Sequence, residues 1–266
     1  MVKSVFKKKV VCIAWDAMAG EEGSSKGKVP TGIEGFDKLC EGGLVRNSIN
    51  IISGPAGSAK TLFCSTFIYT GAKMGEKGLY LTLEESADSV INSMKGYDMD
   101  PERYMASGDL FLIDLGGMAR EGISGKEDLE RKLVGFQTII TFIEIILATT
   151  DIKRLVIDSL VAAGLYYGEE NELRREMFRF ARYLKSKKVT AVLITETPRY
   201  HQSRRTRYNI EQFIGDSFIH MDLEKKGGEF RRSVTILKMR LCKHDAGTHP
   251  FLITPKGMEV QYDVVL

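Results

Sequence analysis

The sequence predicts an α/β protein: a mostly parallel, twisted sheet with helices on both faces and an antiparallel β extension on its C-terminal side. Three observations carry this. Short apolar runs bounded by polar residues or glycine alternate with stretches of helical composition from residue 48 to residue 195. Strand patterns then follow one another without helices between them, in "SFIHMDLEK", "RRSVTILKMRL" and "PFLITPKGMEVQY". A chain of 266 residues, 43% hydrophobic and 27% charged, is long enough for one large domain with a substantial core.

The elements follow in order. "MVKSVFKKKVVCIAW" is basic and then briefly apolar. It is too short in its apolar part for a secretory leader, and no A-x-A-like site follows. We read it as an N-terminal strand or arm, joined by the glycine-rich linker "AMAGEEGSSKGK" (17–28) to a domain spanning 29–266. "SINIIS" (48–53) is a buried strand, and a helix follows from Lys60 to about Lys73. "GLYLTLE" (78–84) is the next strand, and "ESADSVINSMKGY" a helix that Ser86 can cap. "DLFLIDL" (109–115) is a third strand, followed by a long helix over 126–150 with acids in its first turns. "KRLVID" (153–158) is a strand, 171–188 a helix, and "VTAVLIT" (189–195) a strand.

No apolar run reaches the length of a bilayer span. Cys12, Cys40, Cys64 and Cys242 lie far apart without C-x-x-C spacing, which speaks against a zinc site or disulfide framework and for a reducing cytoplasm. The net charge of +3, from 38 basic and 35 acidic residues, is too small to indicate a partner. "RYHQSRRTRY" (199–208) nevertheless holds four arginines and no acid, a local basic patch.

The chemistry concentrates in "SGPAGSAKTL". Gly54, Pro55, Ala56, Gly57, Ser58, Ala59, Lys60, Thr61 and Leu62 follow a strand and open a helix, as a phosphate-binding loop requires. Successive backbone N–H groups and the helix N-terminus can cradle an anion. Lys60 can reach β- and γ-phosphates, and Thr61 can offer a hydroxyl to Mg²⁺. Ala59 stands where the motif has its second glycine. A right-handed backbone there accommodates alanine, whereas a positive φ costs about 1 kcal/mol, and a methyl facing the phosphate adds a steric term. The expectation is weakened nucleotide binding, not abolished binding.

Other residues fit the same site. Asp158 ends a hydrophobic strand, the place of a magnesium-holding aspartate. Glu84 and Glu85 end another, at the edge where open α/β sheets bind ligands, and strand alternation predicts that one of them faces the site. That carboxylate can orient and deprotonate an attacking water. Glu196 ends the fifth strand, either sensing the γ-phosphate or standing as a surface glutamate before a proline turn. Lys238 and Arg240, two residues apart on the same face of a strand, read as paired cations for a transferring phosphoryl group or as a solvated face. Mg²⁺ is the one metal these residues suggest.

"TGIEGFDKLCEGGLVRNSINIISGPAGSAKT" (31–61), "LYLTLEES", "RLVIDS" and "VTILKMRLCKHD" resemble the KaiC-like branch of the RecA/RadA ATPases over roughly residues 30–260, in the manner of single-module archaeal RadA paralogues. The resemblance implies a RecA-type P-loop NTPase core that binds ATP and Mg²⁺ between subunits of a ring or filament, with a hexamer favoured. It implies Lys60 and Thr61 in the phosphate loop, Asp158 on magnesium, and Glu84 and Glu85 as the catalytic acid pair. Lys238 and Arg240 would then reach the γ-phosphate of a neighbouring subunit. It also implies two single-stranded DNA loops, here 160–170 and 198–210. The second carries Arg199, Tyr200, Arg204, Arg205, Arg207 and Tyr208, whose arginines can neutralise phosphates and whose tyrosines can stack on bases. The first offers Tyr166 and Tyr167. Two function classes result: an ATP-driven, single-strand-binding factor in recombination or repair, or a nucleotide-gated signalling module that acts through protein contacts. The arginines can equally dock an adjacent subunit.

Overall fold

The computed structural model describes residues 27–121, 134–197 and 211–266. The predicted N-terminal arm and its linker, apart from Gly27 and Lys28 of the linker, lie outside them. The elements are β1 (Lys28–Val29), α1 (Glu34–Leu39), β2 (Leu44–Val45), β3 (Ile49–Gly54), α2 (Lys60–Lys73), β4 (Gly78–Thr82), α3 (Ala87–Lys95), α4 (Pro101–Ser107), β5 (Leu110–Asp114) and α5 (Leu115–Glu121). Then come α6 (Phe136–Leu147), β6 (Arg154–Asp158), α7 (Leu160–Gly164), α8 (Glu170–Ser186), β7 (Thr190–Glu196), α9 (Glu211–Ile214), β8 (Ser217–Lys226), β9 (Glu229–Met239), β10 (Thr248–Thr254) and β11 (Gly257–Val260).

Nine strands form one sheet in the order β11-β10-β9-β8-β3-β7-β6-β4-β5. From β8 to β5 all neighbours are parallel; β8 through β11 pair antiparallel. This is the predicted class. The parallel strands are apolar throughout because both faces are covered, and side-chain alternation divides each run between two cores. Val156, Val192 and Ile194 pack with Phe63, Phe67 and Ile68 of α2 on one face. Leu155, Ile157, Ala191 and Leu193 pack with Ile139 and Ile143 of α6 and Phe180 and Leu184 of α8 on the other. Helix α8 buries Leu173, Met177, Phe180, Ala181 and Leu184, one stripe at helical spacing.

Local rules set several helix ends. Ser86 accepts from the Ser89 amide at 3.1 Å, the cap expected for α3. Asp100 caps α4 with Pro101 behind it, a start signal present in the sequence. The lead-in "TGIEGFD" closes on itself. Asp37 accepts from the Thr31 amide at 2.9 Å and hydroxyl at 2.7 Å, and from the Gly32 amide at 3.2 Å.

Two expectations need correction. The helix predicted over 126–150 begins at Phe136 and ends at Leu147; residues 122–133 lie outside the described set. Its start is fixed from afar, since the Phe136 amide donates to the Tyr167 hydroxyl at 3.1 Å. The segment 160–170 is not a free loop. It contains α7, and Tyr167 stacks on Phe136 with ring centroids 5.7 Å apart. Tyr166 remains half exposed.

Among the described residues no helix is long and apolar enough to cross a membrane. Cys40, Cys64 and Cys242 are free thiols.

Candidate functional site

Strand β3 is the middle of the sheet, flanked by β7 and β8. Its last residue, Gly54, turns into the loop at the sheet's C-terminal edge, where open α/β sheets place ligands. A Cβ on Gly54 would collide with the Met221 carbonyl of β8 and the Ser58 hydroxyl, so only glycine fits. The loop turns through Gly57 at φ 86°, and the Ser58 amide donates back to the Pro55 carbonyl at 3.2 Å. Helix α2 starts at Lys60 with no side chain capping it, so its first amides remain available to an anion.

Ala59 has φ 70° and ψ 28°, the left-handed region. Of the two alternatives open from sequence, the strained one holds, at a cost of about 1 kcal/mol. The side chain, however, packs against the core on the α2 face. Glycine at this position would relieve the strain, lose up to about 0.8 kcal/mol of methyl burial, and cost about 0.5–1 kcal/mol in backbone entropy. These nearly cancel. We therefore expect Ala59→Gly to shift the thermal midpoint by less than about 4 °C. ATP affinity should change less than about threefold, under 1 kcal/mol. Differential scanning fluorimetry and calorimetry check this; a tenfold gain in affinity would mean that the methyl does obstruct the ligand.

Lys60 is 8% exposed and folds back over the loop, donating to the Gly54 and Pro55 carbonyls at 2.9 Å each. Burial lowers its pKa, and the carboxylates of Glu196, Asp158 and Glu84 act in the opposite direction. Thr61 Oγ1 donates to Asp158 Oδ2 at 3.0 Å, and the Tyr80 hydroxyl donates to the same oxygen at 2.8 Å. Burial raises the Asp158 carboxyl above its ordinary value; these two hydrogen bonds oppose the rise, and Glu84 and Glu85 add to it. A hydroxyl and a carboxylate in contact are a hard-oxygen pair that suits Mg²⁺, a cation that takes one or two protein ligands. The Ser58 hydroxyl, buried beneath the loop, has no hydrogen-bond partner among the described residues, as fits a site that awaits a ligand.

Strand β4 ends at Thr82, so Glu84 and Glu85 lie in the bend beyond it rather than on the strand. They still diverge, for a different reason from the one expected. Glu84 accepts from the Ser159 hydroxyl, beside Asp158. Glu85 accepts from Ser89 Oγ at 3.1 Å, on α3, and its carbonyl receives Thr82 Oγ1. Glu196 sits in register with Gly54, and the Thr197 amide donates to the Gly54 carbonyl at 3.2 Å.

The fold thus gathers residues 54–62, Glu84, Asp158 and Glu196. It does not bring Lys238 or Arg240 to them. Lys238 pairs with Phe218 at the start of β8 and donates to the Gly215 carbonyl at 2.7 Å. The loop packs against Leu223, five residues or about 17 Å further along β8. Arg240 lies beyond the end of β9, its amide on the Asp216 carbonyl, so the two cations do not share a strand face as expected. Burial lowers the Lys238 pKa, and Arg240 and Lys185 push the same way. Arg199, Tyr200, Arg204, Arg205, Arg207 and Tyr208 lie outside the described residues. Sequence reasoning missed Tyr80 and Ser159. Alternation on β4 could have placed the Tyr80 hydroxyl on the α2 face beside Asp158, but nothing local marked it.

A glycine-bearing loop between the central strand and a helix, with a lysine, a hydroxyl and a buried aspartate converging on it, defines the phosphate-loop class of nucleotide-binding α/β proteins. Residues 29–264 match the family described as "ATPase: KaiC". The chain belongs to this family and has its RecA-type, ATP-binding fold. It is 34% identical over 237 residues to the circadian clock oscillator protein KaiC of Parathermosynechococcus lividus, covering 88% of this chain and 42% of that protein. It is 31% identical over 246 residues to the circadian clock protein KaiC3 of Synechocystis sp., covering 91% and 47%. The chain therefore spans less than half the length of these relatives. A solved KaiC-like protein from Pyrococcus horikoshii OT3 superposes with a TM-score of 0.75 at 33% identity, covering 88% of this chain and 98% of that one.

Proposed function

We propose that this chain binds Mg-ATP in the 54–62 loop, hydrolyses it at the boundary between subunits of a cytoplasmic ring, a hexamer by preference, and uses the nucleotide state to gate contacts with a protein partner. Lys60 and the loop amides hold the phosphates. Thr61 and Asp158 hold Mg²⁺, which supplies charge neutralisation and alignment of the phosphates when bound. Glu84, free of α3 and beside Asp158, orients and deprotonates the attacking water, with Glu85 supporting α3. Glu196, opposite Gly54, reports the state of the loop to the chain that follows it.

The observation that carries this reading is the separation of Lys238 and Arg240 from their own loop. Cations so placed serve phosphoryl transfer only across a subunit boundary. The test is complementation. Lys60→Ala and Arg240→Ala chains should each be inactive in steady-state ATP hydrolysis, and a mixture should regain turnover at boundaries that combine an intact loop with an intact arginine. A mixture as inactive as its components would contradict the shared site.

A second reading, single-stranded DNA binding in recombination or repair, is favoured by the arginine and tyrosine content of 199–208, directly after β7. Fluorescence anisotropy with a labelled oligonucleotide tests it. Binding that falls steeply with salt and disappears when Arg204, Arg205 and Arg207 become alanine supports it. No binding at low salt, with or without ATP, removes it.

A further inference from the structure

The β8–β9 hairpin does more than extend the sheet. Arg232 on β9 shares the α2 face with Val234 and Ile236, as alternation along a strand requires. Its Nε donates to the Gly57 carbonyl at 3.1 Å, joining residues 175 apart. Leu223, its cross-strand partner on β8, lies under Gly57. The same peptide unit is held at its other end, because the Ser58 amide donates to the Pro55 carbonyl at 3.2 Å, and Lys60 donates to that carbonyl from within the loop. The Gly57–Ser58 peptide is thus held at both ends, its N–H on the Pro55 carbonyl, which Lys60 also reaches, and its C=O on Arg232. Gly57, at φ 86°, is a loop residue whose backbone can flip at little cost. A flipped peptide would turn the Gly57 carbonyl dipole to the side of the Pro55 carbonyl and the Lys60 ammonium, where it would oppose an incoming phosphate.

We propose that Arg232 is a positioning residue of the phosphate loop: it locks the Gly57–Ser58 peptide with its carbonyl turned away from the side on which Lys60 would meet an anion. This rests on the nucleotide-binding reading above and deepens it. The lock fixes one peptide of a loop that has an alanine in place of its second glycine. It also makes the hairpin tip, residues 224–231, a lever on the loop, since any displacement of β9 moves Arg232.

Hydrogen exchange read by mass spectrometry on the nucleotide-free protein tests the lock directly. In Arg232→Ala, exchange in the peptide covering 54–62 should rise roughly threefold, the effect of losing a solvent-exposed hydrogen bond. Exchange in 223–231 and the thermal midpoint should stay at wild-type values, and ATP affinity should fall by a similar factor. Arg232→Lys, which keeps a donor but not the planar fork, should recover part of both. Loop exchange and affinity equal to wild type would overturn the proposal, as would an increase shared equally by the whole hairpin, the mark of general loosening. A wild-type protein that binds no ATP would remove the nucleotide reading, while the exchange comparison would still judge the lock.

Discussion

Lys60→Ala is expected to weaken Mg-ATP binding by about 100-fold while leaving the fold intact. The ammonium is buried, and in the nucleotide-free protein it rests on two backbone carbonyls of its own loop. A phosphate oxygen replaces a neutral acceptor with a charged one, and a hydrogen bond between two charged groups is roughly twice as strong as a neutral one. Hydrogen bonds to charged groups contribute about 1.5–3 kcal/mol each, which is about 10–100-fold in affinity. Burial in surroundings of low dielectric places Lys60 at the upper end. The lowered pKa of the free lysine points the same way: the site holds the cation at some cost until an anion arrives. The loss should fall on binding. Circular dichroism should be unchanged, and calorimetric titration with ATP and Mg²⁺ should show the affinity drop. Equal affinities for variant and wild type would mean that Lys60 does not face the phosphates.

The second large effect concerns stability, at the opposite end of the sheet. Arg154 opens β6 and is wholly buried. Its Nε donates to Glu76 at 2.7 Å, and Nη1 donates to the carbonyls of Pro30 at 2.7 Å and Phe67 at 2.8 Å. The guanidinium also lies 4.8 Å from the centroid of the Phe67 ring. Glu76 holds Arg46 with its other oxygen at 2.9 Å. One ion pair therefore ties the lead-in, the end of α2 and the start of β6 together. Removing the carboxylate in Glu76→Ala leaves a buried guanidinium without its counter-charge, a change that costs about 3–5 kcal/mol. At about 2–4 °C per kcal/mol, the thermal midpoint should drop by roughly 10 °C. Combining Glu76→Gln with Arg154→Met should recover part of this, because neither charge is then stranded. Nucleotide affinity of the folded fraction should not change. A midpoint within 2 °C or so of wild type for Glu76→Ala would refute the assignment, being under about 1 kcal/mol.

The same pair carries a pH dependence. Burial alone would raise the Glu76 carboxyl, but the hydrogen bonds from Arg154 and Arg46 outweigh it and hold the group below its ordinary value. A carboxyl depressed in the folded state contributes stability above its unfolded value, near 4.3, and loses it as pH falls through the folded one. Acid titration of Glu76→Gln should therefore be flatter below that pH than titration of the wild type.

What the sequence made legible was what lies close along the chain. Strand β3, the loop and α2 are contiguous, so composition and a short motif sufficed to place them. The parallel strands were readable because coverage on both faces leaves unbroken apolar runs. Pairings between distant segments were not readable. Phe136 begins α6 because Tyr167, 31 residues later, receives its amide. Tyr80 reaches Asp158 across 78 residues, and Arg232 reaches Gly57 across 175. Arg154 reads in "RLVID" as an ordinary strand entry, and only the fold shows it buried against Glu76. The two glutamates were expected to diverge by strand alternation; they diverge because Ser159 and Ser89 pull them apart in the bend after β4. Ala59 shows the limit from the other side. Its identity raised the question of strain, but its φ and the direction of its methyl belong to the folded chain.

Nucleotide binding by this chain depends on a phosphate loop that remains usable with alanine at position 59. Native mass spectrometry of the wild-type chain with ATP and Mg²⁺ tests this most directly. We predict a closed ring in which every subunit carries the added mass of one Mg-ATP, and loss of that mass in Lys60→Ala. Subunits that keep the bare mass of the polypeptide at millimolar ATP would contradict it.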